Sequence, residues 1–104
     1  MSEVLIVAKL TPREGRMNDL LGVFASIAPE FHEKEPGTLV YSVNRPLEGD
    51  GPVVVIEKYA SMEALEIHRQ NLRRHMPEIE PLLASKIDAT VLSQLPLGDP
   101  TKLL

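Results

Sequence analysis

The feature that most constrains this chain is the stretch Val53–Met76, VVVIEKYASMEALEIHRQNLRRHM. Four apolar β-branched residues open it, Ser61 breaks it, and its second half has helical spacing. It reads as a buried strand running through a serine turn into an amphipathic helix, with Ser61 as N-cap and Glu63 in the first turn. Stepping 100° per residue places Leu65, His68, Leu72, His75 and Met76 on one stripe. Glu63, Glu66, Gln70, Arg73 and Arg74 fall on the other side. Both histidines therefore belong to the apolar face, about two turns apart. Glu57 sits mid-strand among Val53, Val54, Val55 and Ile56, where a carboxylate is costly unless paired or hydrogen-bonded.

The rest of the chain supplies a scaffold for this unit. Val4–Leu10, VLIVAKL, is a strand with apolar residues on both pleat faces, which implies a sheet covered on both sides. Thr11-Pro12-Arg13-Glu14 has the residue types of a helix start. Met17, Leu20, Leu21, Phe24, Ala28 and Phe31 continue as the apolar stripe of a long helix. Pro29 should kink that helix or pass it to a second segment, and Glu35-Pro36-Gly37 should end it. Thr38–Arg45 is a second strand, Pro46–Pro52 a hairpin loop, and Val53–Tyr59 the third strand. Folding the loop about its middle pairs position 45 with 53, 43 with 55, 41 with 57 and 39 with 59, so Tyr41, Glu57 and Tyr59 share a face. Pro77 ends the second helix, Pro77–Ala84 allows a short third one, and Ile87–Leu95 is the fourth strand. Residues 96–104 form a tail.

Strand, helix, strand, strand, helix, strand with right-handed crossovers gives a ferredoxin-like α+β fold, a four-stranded antiparallel sheet with both helices on one face. A second copy laid on the remaining apolar face is the simplest cover, so a homodimer through the sheet faces is expected, with the tail able to cross it.

The 104 residues suit a single domain, residues 1–104, and carry no cysteine, which removes disulfides and thiol chemistry. The formal charge is −4, and only Arg69, Arg73, Arg74 and His75 cluster. A nucleic-acid partner is therefore not expected. No apolar run approaches a membrane span and no secretory signal is visible, so a cytoplasmic location is expected. Two histidines seven positions apart on one helix cannot clamp one ion unaided, and no glycine-rich phosphate loop is present. Neither a metal nor a bound cofactor is expected.

Glu57-Lys58-Tyr59-Ala60-Ser61, followed by Ala64-Leu65 and His68, resembles the signature of the antibiotic biosynthesis monooxygenase domain family. Glu35-Pro36-Gly37-Thr38 followed by Tyr41 resembles that family's turn into its second strand. The resemblance spans essentially the whole chain. It implies a dimeric α/β barrel built from two ferredoxin-like subunits, and a relation to quinol-oxidising and other cofactor-independent monooxygenases. Tyr59 stands where many members have tryptophan, and the chain has none, unlike the haem-degrading branch.

On this reading His68 is the catalytic base, taking a proton from a phenol or carbon acid, and Glu57 orients it. Tyr41, Tyr59 and His75 are the candidate substrate contacts. The expected activity is monooxygenation of a small aromatic, polyketide or quinol-type molecule. The alternatives are a non-catalytic small-molecule-binding or stress-associated dimer, and an isomerase or lyase using the same base.

Overall fold

The computed structural model describes residues 2–104. Its strands are β1 (Val4–Leu10), β2 (Thr38–Asn44), β3 (Val53–Tyr59) and β4 (Asp88–Leu92). Helix α1 (Met17–Lys34) lies between β1 and β2, while α2 (Met62–Arg73) and the short α3 (Met76–Ile79) lie between β3 and β4. The strands pair antiparallel in the order β2-β3-β1-β4, the ferredoxin-like α+β arrangement; in a single chain this sheet is open and does not close into a barrel.

The helices bury one face of the sheet. Leu20, Phe24, Ile27 and Phe31 of α1 recur every three or four positions and are all buried, as are Leu65 of α2 and Ile79 of α3. They pack against Val4, Ile6, Val53, Val55 and Tyr59. Each large apolar side chain sealed here stabilises the fold by roughly 1.5–3 kcal/mol. Among the described residues the opposite face, which carries Leu5, Val7, Val54 and Ile56, has none of α1, α2 and α3 over it, and the C-terminal tail reaches only its Leu5 end, where Lys58 meets Leu104. Beyond it β4 is exposed along its length, Leu92 at 43 %.

Several local expectations need correction. Thr11 to Arg13 do not start α1; they pair with the segment after α3, through an isolated bridge from Pro12 to Leu83 and bonds from Arg13 N to Leu82 O and Ala84 N to Thr11 O. Gly15, at φ +75°, makes the turn that delays the helix to Met17. Pro29 does not pass α1 to a second segment; the helix runs on to Lys34 and stops at Glu35 as expected. The predicted pairs 41–57 and 43–55 form, but a bulge at Leu39 places Thr38, rather than Leu39, opposite Tyr59. Strand β4 is shorter than expected, Asp88–Leu92. The tail folds back toward its own sheet, where Lys58 Nζ donates to the Leu104 carbonyl oxygen.

Candidate active site

The side chains that carry possible chemistry meet between the helical layer and the sheet. Alternation along β3 directs Glu57 and Tyr59 to the same buried face, and the antiparallel register sets Tyr41 directly opposite Glu57. Ser61 starts α2 with a true side-chain cap, its Oγ accepting from Ala64 N at 3.1 Å. That start fixes the helical phase that turns His68 inward, where it is only 2 % exposed.

Glu57 was expected to orient His68, but it does not make the orienting hydrogen bond. His68 Nε2 lies 3.7 Å from Glu57 Oε1. The hydrogen bond is at the other nitrogen, where Nδ1 is 2.9 Å from Oε1 of Glu35. Glu35 is itself 2 % exposed and accepts two more hydrogen bonds, from Thr38 Oγ1 at 2.7 Å and from Asn71 Nδ2 at 2.8 Å. From the sequence Glu35 is the end of α1 and part of the family-like turn into β2, with no part in the site. Its signal was present: a carboxylate at a helix C-terminus opposes the dipole and needs compensating donors.

Glu57 is paired instead with Tyr59, whose hydroxyl donates to Glu57 Oε1 at 2.5 Å. Burial raises the Glu57 carboxyl to about 7, against the lowering effect of this bond. Burial likewise pushes both Tyr59 and Tyr41 upward, with the Glu57 charge adding to it, so both phenols stay protonated, Tyr59 as the donor to Glu57. Burial lowers His68, a trend opposed by Glu35 and reinforced by Arg69. The imidazole is therefore biased toward its neutral form, the form that can accept a proton.

Aromatic edges wall the imidazole. Phe31 meets it edge-on at 4.7 Å between centroids, and Tyr41 and Tyr59 lie at 5.2 and 5.3 Å. These rings pack around the imidazole between the sheet and the helices. An open groove of about 890 Å³ lies elsewhere, lined by Arg13, Asn18, Arg45 and Asp50 among others.

His75 does not share a helix with His68. Helix α2 ends at Arg73, and His75 caps α3, with Nε2 2.9 Å from Glu30 Oε2. The same carboxylate accepts from Arg74 at 2.8 Å, which ties α1 to the α2–α3 turn. Phe31 stands between the two histidines, 6.1 Å from His75. The structure thus brings Tyr41, Glu57, Tyr59 and His68 into one cluster, adds Glu35 to it, and leaves His75 at its rim.

Known proteins share this arrangement of chain. A Caulobacter crescentus crystal structure, described as a candidate antibiotic biosynthesis monooxygenase, is 27 % identical and superposes with a TM-score of 0.83, covering 90 % of this chain and 91 % of that one. Rv0793 from Mycobacterium tuberculosis (24 % identity, TM-score 0.82, 94 % and 100 % covered) shares the fold. So does a conserved protein of Methanosarcina mazei (18 %, 0.81, 91 % and 95 %). No functionally curated protein matches the chain. The family profile for antibiotic biosynthesis monooxygenase matches residues 3–76, a span holding both strands of the site hairpin, α1, α2 and every residue of the His68 cluster. By that match, the chain belongs to the antibiotic biosynthesis monooxygenase family.

Proposed function

We propose that the protein is a monooxygenase of small aromatic, polyketide or quinol-type molecules, working without a resident cofactor. The observation that carries this reading is a buried, neutral-biased imidazole, held by a carboxylate at Nδ1 and facing protonated phenols and a carboxyl on its other side. His68 removes the substrate's acidic proton, and Tyr41 donates to the oxygen on which charge develops, while Tyr59, its proton engaged by Glu57, contacts the substrate through its ring. The resulting phenolate or enolate supplies the electrons. A phenol plus O₂ gives a quinone plus water, so substrate carbon is oxidised, one oxygen atom enters the product and the other leaves as water. Family membership and the Caulobacter crescentus neighbour support the oxygen chemistry.

Substrate access requires the rings over His68 to part, with Tyr41 and the rim residue His75 on its path. The working unit in this proposal is a homodimer joined through the uncovered sheet faces, where Val7, Val54, Ile56 and Leu92 supply apolar surface. A stable interface of this kind buries roughly 800 Å² per subunit. Light scattering should give twice the chain mass; a monomer mass would overturn the dimer.

Oxygen uptake with a panel of hydroquinones and polyphenols tests the activity. Wild type should consume oxygen with at least one of them, and His68→Ala should lose that uptake while remaining folded. Wild-type uptake that survives in His68→Ala would remove His68 from the chemistry. No uptake across the panel would favour binding or a non-oxidative reaction.

A further inference from the structure

Glu35 is the buried carboxylate at His68 Nδ1 whose effect on the base the mechanism above leaves unspecified. It closes α1, where the partial negative charge of the helix end disfavours a carboxylate. It is nevertheless almost wholly enclosed, and three side chains from two other elements converge on it: Thr38 at the start of β2, and His68 and Asn71 on α2. A carboxylate can only accept, and a hydroxyl and an amide N–H already donate to its two oxygens. The contact with His68 at 2.9 Å is satisfied as a hydrogen bond when Nδ1 carries the proton.

We propose that Glu35 is the positioning residue of the site, holding His68 in the Nδ1–H form so that Nε2 is the atom that accepts the substrate's proton. Nε2 is the nitrogen on the Glu57 side, where the Tyr59 hydroxyl also lies. Once Nε2 is protonated, the imidazolium is stabilised by the Glu35 carboxylate at one nitrogen and has Glu57 3.7 Å from the other. Asn71 and Thr38 serve by keeping Glu35 oriented as an acceptor. This inference rests on the reading of His68 as a base, and it names which atom acts and what makes it act.

The charged and titratable groups that bear on the imidazole are Glu35 from the end of α1, Glu57 and Tyr59 from β3, Tyr41 from β2, and Arg69 on its own helix. Neutralising Glu35 removes one that raises His68, so the imidazole should become a weaker base.

Nitrogen-15 spectra of the histidine rings test this without any substrate. In the wild-type protein above the titration of His68, the expected signal is a protonated Nδ1 and a bare Nε2. A protonated Nε2 overturns the proposal, whether or not any variant folds. In Glu35→Gln the titration of His68 should move to lower pH. With an oxidisable substrate, kcat should fall roughly 10²-fold with little change in KM. A Glu35 that only ties α1, β2 and α2 together would lower the melting temperature and leave the His68 titration in place, which also overturns it. Wild-type spectra with the expected tautomer, in a protein that consumes no oxygen, would sink the monooxygenase reading while supporting the positioning role.

Discussion

The hydroxyl of Tyr59 donates to Oε1 of Glu57 at 2.5 Å, two positions along the same strand and on the same buried face. The bond answers why a carboxyl can occupy the middle of an apolar strand. Burial nevertheless raises that carboxyl to about 7 from its ordinary 4.5. The folded state therefore holds the proton more tightly than the unfolded chain does. The resulting stabilisation is complete below pH 4.5 and is lost as pH rises through 7. Glu57→Gln should remove on the order of 3 kcal/mol of this pH dependence. Urea unfolding at about pH 5 and about pH 8 checks it. His68 works in the opposite sense, since its lowered ionisation favours the fold above 6.5, with loss as pH falls through the folded value.

Removing only the hydroxyl gives a finer test. The Tyr59 bond lowers Glu57, so Tyr59→Phe should shift the Glu57 titration further upward. Carbon-13 spectra of the side-chain carboxyl report it directly. A downward shift would mean that the hydroxyl does not favour the ionised carboxyl.

Much of this arrangement was legible in the chain, and the losses have a common cause. The alternation of β3 and the stripe on α2 are local patterns, and they put Glu57, Tyr59 and His68 inward. The symmetry of the 46–52 loop was enough to place Tyr41 across from Glu57. The bulge at Leu39 was invisible because it lies at the far end of the hairpin, beyond what the loop governs. Pro12 looked like a helix start because its true partner, Leu83, is on the opposite side of the sequence. The hydrogen bond between His68 and its acceptor Glu35 spans 33 positions, and no periodicity reports a contact between two separate elements. Local spacing gave the direction of each side chain, while tertiary packing chose its partner.

Phe31 connects the core to the site. It is fully buried and presents its ring to both Tyr41, at 5.1 Å, and His68. Phe31→Ala should cost about 3–5 kcal/mol of stability. It should also loosen the imidazole, seen as extra ring mobility in NMR relaxation. A loss under about 1 kcal/mol would mean that neighbouring side chains collapse into the space.

Gly37 is fixed by proximity. A Cβ at this position would stand 2.6 Å from the Cβ of Ala64, at the point where the start of β2 passes the first turn of α2. The Gly37 carbonyl also accepts from Ala60 N at 2.9 Å, so the strand cannot easily move away. Gly37→Ala should destabilise the protein by about 1–3 kcal/mol. Thermal unfolding measures it, and Ala64→Gly in the same chain should recover part of the loss.

The strand order β2-β3-β1-β4 puts the first strand made by the ribosome between two that are made much later. Val4–Leu10 is apolar and rich in β-branched residues, with Lys9 as its only charge. Its first partner, β3, is not finished until Tyr59, and its second, β4, not until Leu92. Throughout that interval the nascent chain exposes an unpaired segment of the kind that self-associates. A folding yield that falls with concentration, and recovers when a second charge is placed in β1, is the cost of building the sheet around its earliest strand.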